Sequence, residues 1–188
     1  MEDEAPPARK RRVPRPMTPR RLRNIAVAYF ESRTTTRGHL ERLLMRRIHR
    51  SLEHHPGDAS EMRGWLPPLL DELERMGLLD DRAWAESRLA RLRRKGMSAR
   101  AIRANLREKL VPADLIDELM DIDRQDPLVA GVKYARRRGI GPFRERDREA
   151  RRDKDLGRLA RAGFPYDVAR RVLDLDREEA DDLYYESL

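Results

Sequence analysis

The sequence predicts an all-α protein, an elongated tandem array of three three-helix repeats behind a disordered basic N-terminal arm. Proline and N-cap residues recur along the chain where helices would start. Apolar residues follow them at i, i+3 and i+4, with no competing period of two. Segments of the chain also resemble one another at constant spacing, which helix propensity alone does not produce.

Composition limits how thick the layers can be. Of 188 residues, 39% are hydrophobic, 5% aromatic and 40% charged, so thin layers of packed helices are expected rather than one thick core. The formal net charge of +8 and pI near 10.2 favour an anionic partner, nucleic acid first and an acidic protein surface second. Arginine greatly outnumbers lysine, which suits bidentate phosphate contacts, although genome base composition produces the same skew. Cysteine is absent, which excludes disulfides, thiolate metal sites and cysteine nucleophiles and fits a reducing compartment. With neither a membrane-spanning apolar run nor a signal-peptide core, a cytoplasmic location without a membrane partner is expected.

In chain order, residues 1–17 combine Pro6, Pro7, Pro14 and Pro16 with the tract Arg9-Lys10-Arg11-Arg12 and form the arm, too polar to order itself. Repeat 1, residues 18–79, opens at Thr18-Pro19, an N-cap with proline at the first helical position, ahead of Leu22, Ile25, Ala26, Tyr29 and Phe30. Its helices are expected over 18–33, 36–52 and 65–76, the last starting near Trp65 because Pro67-Pro68 fits only a first turn. Repeat 2, residues 80–124, opens at Asp80-Asp81 after Gly77, with helices over 81–95, 98–109 and 112–123. Repeat 3, residues 125–175, opens at Asp126-Pro127, with helices over 126–138, 148–162 and 165–174. The remainder, 176–188, reads as an acidic C-terminal tail.

Self-comparison underlies this division. Leu106, Pro112, Asp114, Leu115 and Leu119 recur at one offset as Leu159, Pro165, Asp167, Val168 and Val172. Arg94-Lys95-Gly96 recurs as Arg137-Arg138-Gly139 at a shorter offset, which implies an insertion near 141–152 in the third copy. Thr36, Leu40 and Leu44 likewise match Ser98, Ile102 and Leu106, whereas Leu69, Leu70 and Leu73 match Leu115, Ile116 and Leu119 at a shorter offset. An insertion over about 46–61 in repeat 1 accounts for that difference.

Basic side chains recur by repeat. Arg100, Arg103 and Arg107 form a stripe apart from Ile102, Leu106 and Leu110; Arg88, Arg91 and Lys95 accompany Ala85, Leu89 and Leu92; Lys133, Arg136 and Arg137 follow Pro127. A solvated helix face gives the same pattern once, but recurrence, net positive charge and clustering before Gly96 and Gly139 favour binding by these residues. His54-His55 with Asp58 superficially resembles a metal cluster, yet beside Pro56-Gly57 it reads as a mobile polar loop. Trp65, Trp84, Tyr134 and Tyr29 could stack bases, but all except Trp65 fall near apolar stripes and read as core. No segment assembles a nucleophile with a base, a metal cluster or a pocketed carboxylate pair, and Gly139-Ile140-Gly141-Pro142 lacks the Walker lysine. The chain therefore reads as a non-enzyme, with no catalytic residue, metal or cofactor expected.

Leu22 to Phe30 with Arg33 and Thr36, and above all Glu74 to Asp81 followed by Ala83-Trp84-Ala85, resemble segments of the RecX family of bacterial recombinase regulators. Arg94 to Ser98 with Ile102 and Leu106 is similar to its central repeat, and Arg161-Ala162-Gly163-Phe164 through Val172 to its closing helix. Arg137 to Phe143 resembles a variant of alphaproteobacterial members. The resemblance runs from about Thr18 to Leu175, with departures at the insertion near His54, at Pro67-Pro68, at Phe30 where leucine is common, at Thr36 for serine, and at Leu110 where a glycine often sits. It implies three-helix repeats that bind the RecA nucleoprotein filament along its groove. It also implies inhibition of strand exchange, ATP hydrolysis and SOS-linked coprotease function in DNA repair and homologous recombination. Weak, non-specific binding of single- and double-stranded DNA is implied too, with no catalytic residues; a monomer is expected.

Two other readings of the residues stay open. One is a stand-alone DNA- or RNA-binding regulator, with the helices over 81–95 and 98–109 entering a groove. The other is a protein-binding adaptor whose charge maintains solubility. A further expectation is that Asp176, Glu178, Glu179, Asp181 and Asp182 compete with DNA for the basic faces.

Overall fold

The computed structural model describes residues 14–123 and 125–187 in two compact units, one ending at Leu79 and the other beginning at Asp80. Among the described residues all regular structure is helical. Most of the expected basic arm, including Arg9 to Arg12, lies outside them.

In the first unit, α1 (Pro19–Phe30) starts as its sequence dictates: the Thr18 side chain accepts from the Arg21 N–H at 3.2 Å, and Pro19 needs no donor. Thr36 caps α2 (Arg37–Leu52) in the same way. Helix α4 (Leu66–Arg75) begins so that Pro67 and Pro68 fall in its first turn, where their missing N–H groups leave no bond unmade. Gly77, at φ +70°, closes α4 in the left-handed conformation. Leu22, Ala26, Leu40, Leu44, Ile48, Leu66, Leu70 and Leu73 form the core.

Two expectations for this unit need correction. Residues 53–58 around His54 form a loop, as expected, but a helix absent from the expected set follows them. Asp58 accepts from Ser60 N–H at 2.7 Å and so starts a short helix, α3 (Ala59–Gly64), which carries Met62 into the core. The last residues of the expected arm pack against this unit: Met17 is buried and His55 Nε2 bonds the Pro14 carbonyl at 2.6 Å.

The second unit contains α5 (Asp81–Arg94), α6 (Ala99–Glu108) and α7 (Ala113–Ile122), then α8 (Pro127–Arg138), α9 (Arg152–Arg161), α10 (Tyr166–Asp174) and α11 (Arg177–Tyr185). Asp80, Ser98 and Asp126 each accept an N–H of the following first turn. Ile102, Leu106, Val111, Ile116 and Leu119 centre one apolar cluster; Val132, Ile140, Leu159, Phe164, Val172 and Leu173 centre another. These two clusters are held together by close packing. A Cβ on Gly96 would lie 2.5 Å from Tyr134 N, and the Ser98 hydroxyl donates to the Ala162 carbonyl at 2.7 Å.

The insertion near 141–152 takes shape as two 3-10 turns, Gly141–Phe143 and Glu149–Arg151. Arg144 reaches Asp155 through Nε at 2.9 Å and Nη2 at 2.7 Å, and the Gly141 N–H donates to the same carboxylate at 3.2 Å. Burial works to raise the Asp155 pKa, but the bonds from Arg144 and Gly141 outweigh it and hold the carboxyl below its ordinary value.

The C-terminal segment also departs from expectation: α11 is a docked helix rather than a tail. Asp176 and Glu179 form a capping box, Ala180 is fully buried, and Leu183 and Tyr184 pack on the core around Val132 and Phe143. Its acidic composition hides that apolar face in the sequence.

Candidate nucleic-acid interface

All nine basic residues singled out by spacing lie in the second unit, and the structure separates them by what they touch. On α5, Arg88 is half-buried and its Nε donates to Asn105 Oδ1 on α6 at 2.8 Å. Burial first, and the neighbouring Arg91 charge second, lower the Arg88 pKa. A bound anion would relieve both effects, since each disfavours the cation. Arg91 and Lys95 are exposed and form no ion pair among the described residues.

On α6, Arg100 and Arg107 are exposed and likewise without an ion pair among the described residues, whereas Arg103 is held by Asp117 of α7. Arg100 and Arg103 border a groove of about 590 Å³ that also includes Gly163 and Phe164. Helix α6 thus offers two available guanidinium groups and one engaged in the fold.

The α8 residues differ. Lys133 Nζ donates to the Ser187 carbonyl at 3.0 Å. Arg136 pairs with Asp181 at 2.7 Å, donates to the Tyr185 hydroxyl at 3.0 Å, and lies 4.1 Å from the Tyr184 ring centroid. The Tyr185 bond, acting against burial and helped by Asp181, raises its pKa. Helix α11 therefore occupies this basic face. Arg137 remains exposed, over the Tyr134 ring at 5.6 Å and beside Met97 Sδ at 3.9 Å.

Sequence spacing missed the residues that set these roles. Asn105 holds Arg88, Asp117 holds Arg103, and Arg93 pairs with Asp123 where both are largely buried. Clustering before Gly96 and Gly139 also has a local cause, since cations favour the last turn of α5 and α8. Tyr29 and Trp65 pack on the first core, Trp84 on the second and Tyr134 on the third, and Tyr134 meets the Phe164 ring at 5.6 Å. Among the described residues no group of His, Cys, Asp or Glu could hold a metal ion; Asp58 serves as a helix cap. No helix there is long and apolar enough to cross a membrane.

With this geometry in place, the relatives are informative. A family model described as "RecX, second three-helix domain" matches residues 80–120, from the N-cap of α5 into α7. The chain is 38% identical over 168 residues to the "Regulatory protein RecX" of Myxococcus xanthus (strain DK1622), covering 86% of this chain and 88% of that protein. Proteins of the same name from Agrobacterium fabrum and Corynebacterium efficiens are 35% and 31% identical, covering 56% and 65% of this chain and 56% and 68% of theirs. No solved structure matches.

Proposed function

The chain belongs to the RecX family, and from that premise we propose that it binds the RecA nucleoprotein filament and inhibits recombinase activity, ATP hydrolysis and coprotease function. It acts as a non-enzymatic cytoplasmic monomer, without a cofactor, and binds single- and double-stranded DNA weakly and without sequence preference. One observation carries the choice of contact face: Arg91 on α5, Lys95 at its C-cap, and Arg100 and Arg107 on α6 are exposed and without ion pairs among the described residues. Available arginines of this kind bond phosphate or carboxylate oxygens, whereas Lys133 and Arg136 already have partners in the fold. Several such weak contacts along a periodic filament add through effective concentration, so no deep pocket is needed.

The test is RecA ATP hydrolysis on single-stranded DNA, titrated with the wild-type chain and with Arg91→Ala/Arg100→Ala/Arg107→Ala. Wild type should inhibit in a dose-dependent way, and the triple variant should require about tenfold more protein while keeping its helicity. Absence of any wild-type effect at every stoichiometry refutes the filament reading. An unweakened triple variant refutes the contact face.

A further inference from the structure

We infer a second anion site, in the first unit: a cleft between Pro14–Met17, the start of α1 and the end of α2, which receives the phosphodiester backbone of a nucleic acid. The cleft measures about 540 Å³, and its lining joins Arg15, Arg21, Arg47 and Arg50 to an apolar floor of Met17 and Ile25. Among the described residues no carboxylate lines it.

Charge within the unit is sorted by the packing of α4. That helix carries Asp71, Glu72 and Glu74, and these hold Arg23 at 2.9 Å and Arg37 at 2.7 Å. Arg15, Arg47 and Arg50 are left without an ion pair among the described residues. Arg21 donates to the carbonyls of Arg15 and Pro16, so it fixes the segment while keeping its charge. Like charges brought together in one cleft repel, and an anion bound among them removes that cost.

The cleft is also formed in advance. His55 bonds the Pro14 carbonyl at 2.6 Å, the Ser51 hydroxyl donates to the Arg15 carbonyl at 3.4 Å, and buried Met17 anchors the segment from beneath. Binding therefore need not order this wall.

Two features select a phosphodiester chain over a lone carboxylate. Several guanidinium forks present more donors than one carboxylate can accept, and they suit successive phosphates. In sequence, Arg9-Lys10-Arg11-Arg12 ends just before Pro14, so positive charge continues along the chain as a linear polyanion requires. The inference rests on the nucleic-acid side of the proposed function, but its test omits RecA, so the two fail separately.

The full chain is titrated into a fluorescein-labelled single-stranded oligonucleotide at several salt concentrations. Arg15→Ala/Arg47→Ala/Arg50→Ala is compared with Arg146→Ala/Arg170→Ala/Arg171→Ala, which removes equal charge from exposed positions of the other unit. The cleft variant should bind about tenfold more weakly, with a salt slope flatter by about 2; the control should stay within about twofold of wild type. Arg47→Lys/Arg50→Lys keeps the charge and is the milder variant should the alanine protein melt early. It should retain the slope and lose about threefold in affinity. Wild-type affinity and slope in both cleft variants, or a loss no greater than the control's, overturns the site. So does loss of poly-glutamate binding with oligonucleotide binding intact, which would assign the cleft to an acidic protein.

Discussion

Ile102 on α6 and Asp155 on α9 hold the same place in two copies of one repeat, at 0% and 1% exposure. In repeat 2 that place is filled by an apolar side chain, and the basic stripe of α6 faces outward. In repeat 3 it holds a carboxylate, and the inserted segment supplies Arg144 to neutralise it. Around this pair, Arg148 donates to the Leu173 and Leu175 carbonyls at the end of α10, Arg152 pairs with Asp174, and Arg136 pairs with Asp181. Both repeats thus fasten some arginines internally and leave others exposed: Arg82, Arg88, Arg93 and Arg103 are held in repeat 2, while Arg146, Arg170 and Arg171 are exposed in repeat 3. The two repeats differ at the core position itself, where the insertion of repeat 3 brings a guanidinium to a buried carboxylate.

The largest expected effect lies at the exchanged core position. Asp155→Ala leaves Arg144 and the Gly141 N–H without their acceptor and should cost about 3 to 4 kcal/mol in urea unfolding. Because the folded Asp155 pKa is depressed, its contribution is fully present above the ordinary value of about 4 and is lost as pH falls through the folded value. The gap between wild type and variant should therefore narrow below about pH 4, and a gap constant from pH 7 to pH 2 contradicts the assignment.

Next come the matched glycines Gly96 and Gly139. Both are left-handed, at φ +64° and +59°, but a Cβ on Gly96 would meet Tyr134 N at 2.5 Å and Lys133 Cβ at 2.6 Å, while nothing lies within 4 Å of one on Gly139. Gly96→Ala should destabilise by about 3 kcal/mol and Gly139→Ala by about 1 kcal/mol, since only the first adds a backbone clash to the strain. Equal losses would mean that the two repeats do not abut at Gly96.

Leu110 and Gly163 form a third pair. Leu110 sits at φ +58° where repeat 3 has glycine at +90°. Leu110→Gly should raise stability by about 0.5 to 1 kcal/mol through relief of that strain, and a lower urea midpoint would show that its half-exposed side chain matters more.

The smallest effect concerns the acidic helix. Asp181→Asn frees Arg136 from its ion pair and should tighten oligonucleotide binding by about twofold; no change would show that α11 does not mask α8. A point variant is preferable to truncation after Leu175, which would also strip Ala180, Leu183 and Tyr184 from the core.

Helix starts were legible because capping is local: Thr18, Thr36, Asp80, Ser98 and Asp126 each bond an amide within three residues. What escaped the sequence was nonlocal or compositionally disguised. Helix α3 needed Met62 to reach a core assembled from distant leucines, and α11 presents few apolar residues amid its acids. For the basic stripes, spacing identified the helices but not which cations the fold itself engages. Arg103 and Arg136 carry the same signal as Arg107, and only Asp117 and Asp181, brought in by other helices, set them apart.

The Ser98 hydroxyl caps α6 and also bonds the C-cap residue of α9, and that double role bears on how the second unit comes apart. The core of repeat 2 is the smaller of the two, so its intrinsic stability is low. In a one-dimensional description of repeat proteins, the nearest-neighbour term at Ser98 and Gly96 compensates for that weakness. Repeats 2 and 3 should then open as a single cooperative block, with amide exchange at Leu106, inside α6, reporting the same opening free energy as exchange at Val132.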